Sequence, residues 1–67
     1  MSVVKVIELI AESSESWETA AKEAVAEAAK TIDNIKTVNM ENLQALVEDG
    51  KIIKYRANVK ITFVVKS

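Results

Sequence analysis

The last third of the chain alternates too regularly to be anything but a long strand. Ile53, Tyr55, Ala57, Val59, Ile61, Phe63 and Val65 occupy seven consecutive odd positions, with Lys54, Arg56, Asn58, Lys60, Thr62 and Val64 between them. Successive strand residues point to opposite faces, so one face is wholly apolar and the other mainly polar. At roughly 3.3 Å per residue over about fourteen residues, the strand runs to about 45 Å. A chain of 67 residues must find a cover for that face, and this requirement governs every other assignment.

The cover within the chain is a helix. Trp17, Ala20, Ala21, Ala24, Val25, Ala28 and Ile32 form one apolar stripe at helical spacing. Ser13 or Ser14 offers a capping oxygen, Glu15 and Glu18 suit the positive helix end, and Asp33 and Asn34 close the segment. Alanine dominates the stripe, which lets the helix lie close to a sheet. At about 1.5 Å per residue over some eighteen residues it spans only about 27 Å. The uncovered apolar surface and open sheet edges therefore predict a homo-oligomer, because they would otherwise drive aggregation.

Two more strands complete the chain. Val3 to Ala11 is rich in β-branched residues on both faces, which predicts a strand buried on two sides rather than an exposed edge. From Ile35 to Val47 the apolar parity switches: Val38 and Met40 lie on one side, Leu43, Ala45 and Val47 on the other. That switch predicts a bulge or strong twist near Glu41 and Asn42, or else two halves of the strand that face different neighbours. Glu48-Asp49-Gly50-Lys51 reads as a hairpin turn of the Asp-Gly kind. The expected fold is α+β, in the order β-α-β-β, with a three-stranded antiparallel sheet wrapped on one amphipathic helix. Residues 1–67 form a single domain.

Composition removes most chemistries. With no cysteine and no histidine there is no disulfide, thiolate or Ser-His-Asp arrangement, and no zinc-finger site. Nine basic against ten acidic residues do not advertise nucleic acid. The apolar run in the first twelve residues is interrupted by Lys5 and Glu8 and is too short to span a bilayer, which points to a cytoplasmic protein without a membrane partner. No pair of titratable groups suggests catalysis, so the chain is expected not to be an enzyme. Trp17, Tyr55 and Phe63 fall on the apolar parities and are expected in the core or at a subunit interface. Glu41, Glu48 and Asp49 are expected to gather toward the hairpin, and Glu8 and Glu12 share one parity of the first strand. Calcium wants six to eight oxygens, and no acidic loop of the EF-hand kind is present, so metal ligands are not assigned.

The order and the strand overhang resemble the dodecin family, small β-α-β-β chains that assemble into hollow dodecamers and bind flavins. The resemblance is carried by Lys5-Val6-Ile7-Glu8, Ser16-Trp17-Glu18, Ala20-Ala21, Glu23-Ala24-Val25 and Thr31-Ile32-Asp33-Asn34-Ile35, then by Gly50-Lys51-Ile52, Tyr55-Arg56 and Val59-Lys60-Ile61-Thr62-Phe63. It extends ungapped over essentially the whole chain. The Ser-Trp-Glu start and the Gly-Lys-Ile…Tyr-Arg hairpin are similar in particular to the dodecin-like branch described as calcium-binding. In flavin-binding dodecins an aromatic residue, usually Trp, stacks on the flavin shortly after the helix, and a Gln in the last strand bonds its polar edge. The ungapped alignment places Thr37 and Arg56 at those two positions. The resemblance thus implies ligand contact at Thr37 and Arg56 and a non-enzymatic homododecamer that stores or sequesters a flavin (FMN or riboflavin). The alternative it implies is a calcium-binding or purely structural oligomer without the flavin site.

Overall fold

A computed structural model describes residues 2–66, the last of them by its backbone. It contains β1 (Val3–Ser13), α1 (Trp17–Ala28), β2 (Ile35–Glu48) and β3 (Lys51–Lys66). All neighbouring strands are antiparallel, in the order β1-β3-β2. The last strand in sequence is therefore the central one, inserted between the two strands that the helix connects. This is the expected α+β arrangement, a three-stranded antiparallel sheet with one helix across it.

The centre of β3 makes the core. Ala57, Val59 and Ile61 are completely buried, and Ile7, Leu9 and Ala11 of β1 face them directly across the sheet. On the other side β2 contributes Met40 opposite Val59. Above this row lies the helical face of Ala20, Ala21, Ala24 and Ala28, all buried. Small side chains let the helix axis approach the sheet, so the core is closed by β-branched residues from below and methyl groups from above. Trp17 seals one end. Its indole N–H donates to the Gln44 carbonyl at 2.9 Å, and its ring meets Tyr55 edge-on, with centroids 5.0 Å apart. Trp17, Tyr55 and Phe63 are all half-buried.

Several local signals act where the sequence places them. The β2–β3 register slips between Met40 and Leu43, at the expected bulge. Asp49 and Gly50 both take positive φ, 52° and 75°, which forms a two-residue hairpin loop whose twist suits the flanking strands. Asn34, at φ 62°, turns the chain from the helix exit into β2, and its carbonyl accepts from the Val64 amide.

Three expectations are corrected. β1 is an edge strand, not a strand buried on two sides. Its odd residues face the helix, while Val6 and Ile10 on the other face are exposed. Its β-branched composition reflects apolar surface that a lone chain does not cover. The helix cap is Ser16 rather than Ser13 or Ser14: the Ser16 hydroxyl accepts from the Thr19 amide at 3.0 Å. Ser13 instead receives the Glu15 amide in the connecting turn. The helix also stops at Ala28, short of Ile32, and its exit tightens through amides of Lys30 and Thr31 onto carbonyls three residues back. Ile32 nevertheless packs against the core from that turn.

A twelve-residue helix therefore lies on a sixteen-residue central strand, a larger mismatch than the sequence suggested. The molecule measures 51 × 20 × 13 Å, and both ends of the sheet extend beyond the helix.

Candidate functional site

The two faces of the sheet have different chemistry. The face turned from the helix carries the even residues of β3, and the register brings their partners beside them: Glu12 and Gln44 flank Arg56, Glu8 and Asn39 flank Lys60, Val6 and Thr37 flank Thr62. The first two rows each set a β1 carboxylate beside a β3 cation, and the third is uncharged. Lys60 Nζ lies 3.5 Å from Glu41, which also accepts from Asn39.

The firmest of these pairings is Arg56 with Glu12. Arg56 Nε and Nη2 both donate to Glu12 Oε2, at 2.8 and 2.6 Å, and Lys54 Nζ stands 3.8 Å from the other oxygen. The hydrogen bond from Arg56 holds the Glu12 carboxyl below its ordinary range. Partial desolvation opposes that hydrogen bond, and the charges of Arg56 and Lys54 then act with it to keep the carboxyl low. A group whose pKa is depressed by folding stabilises the fold above its unfolded pKa, and that stabilisation is lost as pH falls through the folded value. Glu12→Gln is therefore expected to melt below the parent near neutral pH, with the gap closing below about pH 4. Thermal melts at several pH values read this directly. A gap that does not change with pH would mean that the pair adds nothing through its charge.

Thr37 and Arg56 share this face, but one chain does not bring them together. Thr37 pairs with Thr62, six residues along β3 from Arg56, a separation of about 20 Å. Thr37 is exposed on the outer strand β2, and Arg56 is half-buried on the central strand. A single ligand touching both positions would have to bridge two copies of the chain.

The carboxylates are also arranged differently from expectation. Glu41 lies in the bulge, bound to Lys60, whereas Glu48 and Asp49 sit at the hairpin turn, so the three do not gather. Among the described residues no group of three carboxylates is close enough to hold one metal ion. The oxygen-rich place that sequence reading missed is a hollow of about 400 Å³ where β1 turns into α1. It is lined by Glu12, Ser13, Ser14, Glu15, Thr19 and Glu23, with Lys54 at its edge. The signal was the dense Glu12-Ser13-Ser14-Glu15 run. Its meaning depended on the strand-to-helix turn that folds Thr19 and Glu23 back over it.

Comparison with known proteins fits this architecture. Residues 3–66 match the dodecin family. The calcium dodecin of Mycobacterium tuberculosis is 38% identical over 63 residues, covering 94% of this chain and 89% of that protein. Its crystal structure, described as that of a calcium-chelating antigen with a calcium-binding site, superimposes with a TM-score of 0.81 at 37% identity, over 92% of this chain and 89% of the other. A point mutant of the Thermus thermophilus dodecin superimposes with a TM-score of 0.91 at 22% identity over the full length of both chains. With the split β-α-β-β order, the long central strand and this match from end to end, the chain belongs to the dodecin family.

Proposed function

We propose that this protein is a non-enzymatic, cytoplasmic ligand-binding shell, a homo-oligomer of the dodecin type with twelve copies, and that its ligand is calcium. The observation that carries the ligand is the hollow at the β1–α1 turn. Its lining residues carry carboxylate and hydroxyl side chains apart from Lys54 at its edge, the hard donors that calcium prefers. With Glu12 engaged by Arg56, the carboxylates left to a ligand are Glu15 and Glu23. One chain supplies too few convergent oxygens, so coordination is completed where copies meet. The likeness to a calcium dodecin over 94% of the chain supports the same ligand.

Storage of a flavin is the second reading, favoured by the placement of Thr37 and Arg56 on one face of the sheet, where two copies could present them together. It ranks lower because position 37 has no ring to stack and Arg56 is already engaged by Glu12. Donor-only guanidinium also serves a flavin's mixed polar edge poorly.

Titration calorimetry of the purified protein with calcium, beside riboflavin fluorescence, separates the readings. Saturable calcium binding is expected, weakened at least tenfold in Glu15→Gln/Glu23→Gln, with riboflavin fluorescence unchanged. Quenched riboflavin and no calcium heat would overturn the calcium reading in favour of flavin storage.

A further inference from the structure

The chain has two aspartates, and they stand in different settings. Asp33 precedes Asn34 at the helix exit, whereas Asp49 precedes Gly50, the only glycine. An aspartyl residue reacts with its own backbone when the amide nitrogen of the following residue reaches its side-chain carboxyl carbon. A side chain on that following residue crowds the approach, and glycine removes the obstacle. The space beside Gly50 is open, with nothing within 4 Å of where a Cβ would stand. Asp49 and Gly50 are both exposed, and the ladder closes on the Glu48–Lys51 pair, which leaves the Gly50 amide inside the loop. At Asp33 the following residue carries a side chain, and the Asn34 carbonyl is tied to the Val64 amide at 3.1 Å.

Ring closure also needs a backbone rotation at the aspartate, so its rate depends on how easily the loop opens. Little holds this one closed. β1 ends at Ser13, opposite Tyr55, and α1 begins at Trp17, against the same ring. Beyond them β2 and β3 continue alone, from the Leu46–Lys54 pair to the Glu48–Lys51 pair. Two strands without a cover are marginal in water, and segments with few buried contacts open at low free energy. Asp49 is moreover held at φ 52°, a left-handed conformation that disfavours any residue with a Cβ. Opening the loop relieves it.

We propose that the Asp49-Gly50 turn is a modification site, at which the backbone isomerises spontaneously to a β-linked aspartate. The Gly50 nitrogen bonds to Asp49 Cγ, and the carboxyl oxygen leaves with the amide proton as water, which closes a five-membered succinimide. Water then adds back to the ring. Breaking the new N–Cγ bond restores aspartate, whereas breaking the original peptide bond leaves Gly50 joined through Cγ, with a free α-carboxylate. One water is lost and one regained, and nothing is oxidised or reduced. The reaction is intramolecular and calls on no other macromolecule. Its product lengthens the main chain by one carbon, for which a two-residue loop has no room. The Glu48–Lys51 and Val47–Ile52 pairings are therefore what the modified chain loses, while the buried row of Ala57, Val59 and Ile61 is untouched.

Purified protein held for several weeks near neutral pH and at physiological temperature, then digested with an endoprotease that cuts before aspartate, tests this. Cleavage before Asp49 is expected to fall with time while cleavage before Asp33 stays complete. The uncut peptide should keep its mass, change its retention, and accept a methyl group from S-adenosylmethionine through an isoaspartyl methyltransferase. A transient form lighter by one water should precede it. Asp49→Glu, which keeps the charge but calls for a larger ring, is expected to abolish both species. The same incubation in urea gives the rate of the unfolded chain, and the folded protein should react within tenfold of it. A folded protein more than a hundredfold slower would overturn the proposal by showing that the fold locks the turn. Equal loss of cleavage at Asp33 and Asp49 would overturn it too, because the turn would then confer no selectivity.

Discussion

Ile61→Ala is expected to leave the chain largely unfolded at the concentrations where the parent is native. Ile61 is completely buried at the centre of β3, between Ile7 and Val38 on the neighbouring strands. Truncating a buried isoleucine costs about 2–5 kcal/mol, the upper end applying where the surroundings cannot collapse into the gap. Here they cannot move far, because Ala57 and Val59 flank the gap along β3 and the helix above is already packed through alanines. A chain of this length is stabilised by only about 3–10 kcal/mol, so one such loss consumes much or all of it. In the proposed homo-oligomer, assembly would offset part of the cost, since anything that binds only the folded state raises apparent stability. The effect should therefore be largest at low protein concentration. Urea melts followed by circular dichroism, at two concentrations, measure it. A midpoint within error of the parent would show that this row is not the core. Ala24→Leu probes the same contact from the other side and is expected to cost about 1–3 kcal/mol by overpacking, although it adds apolar volume.

Those two substitutions act at positions the sequence already marks, and that contrast shows what kind of information a single chain carries. Period-two alternation located Ala57, Val59 and Ile61 on one face, and period-3.6 spacing located the alanines that cover them. Each is a local signal whose meaning does not depend on distant residues. The parity switch at Glu41 and Asn42 and the Asp49-Gly50 turn are local in the same sense. β1 failed for the opposite reason. Its composition records apolar surface on two faces, but whether a strand is central depends on which strand inserts beside it. Here β3 enters between β1 and β2 only after the whole chain has been made. The cap shifted to Ser16 because three serines within four residues compete, and the start of the apolar stripe at Trp17 is what decides among them. The pairing of Arg56 with Glu12 spans 44 positions, so no local pattern could show it. It follows from register alone. The hollow at the β1–α1 turn likewise exists only once strand and helix have set their angle.

The same register decides what restoring an aromatic at position 37 should do. Thr37 is exposed on the outer strand, on the face that also carries Arg56, and strands accept aromatic residues well. Thr37→Trp therefore adds a stacking surface without disturbing Ala57, Val59, Ile61 or the helix. Stacking beyond simple burial is worth about 0.5–1.5 kcal/mol, so a riboflavin affinity gain of roughly tenfold corresponds to about 1.4 kcal/mol. Adding Arg56→Gln supplies an amide that both donates and accepts, but it also frees Glu12, whose negative charge would then face the ligand with only Lys54 nearby. Because Thr37 and Arg56 are about 20 Å apart in one chain, the second substitution can assist the first only where two copies meet. Fluorescence titration of the parent, the two single variants and the double variant distinguishes these cases. Coupling between the two changes, with a gain in the double variant larger than the product of the single gains, is the result expected of a ligand site between copies. Independent effects would place any flavin contact within a single chain, at Thr37 alone. An unchanged light-scattering mass with a riboflavin affinity unmoved by Thr37→Trp would remove position 37 from the ligand site, and with it the flavin reading of this protein.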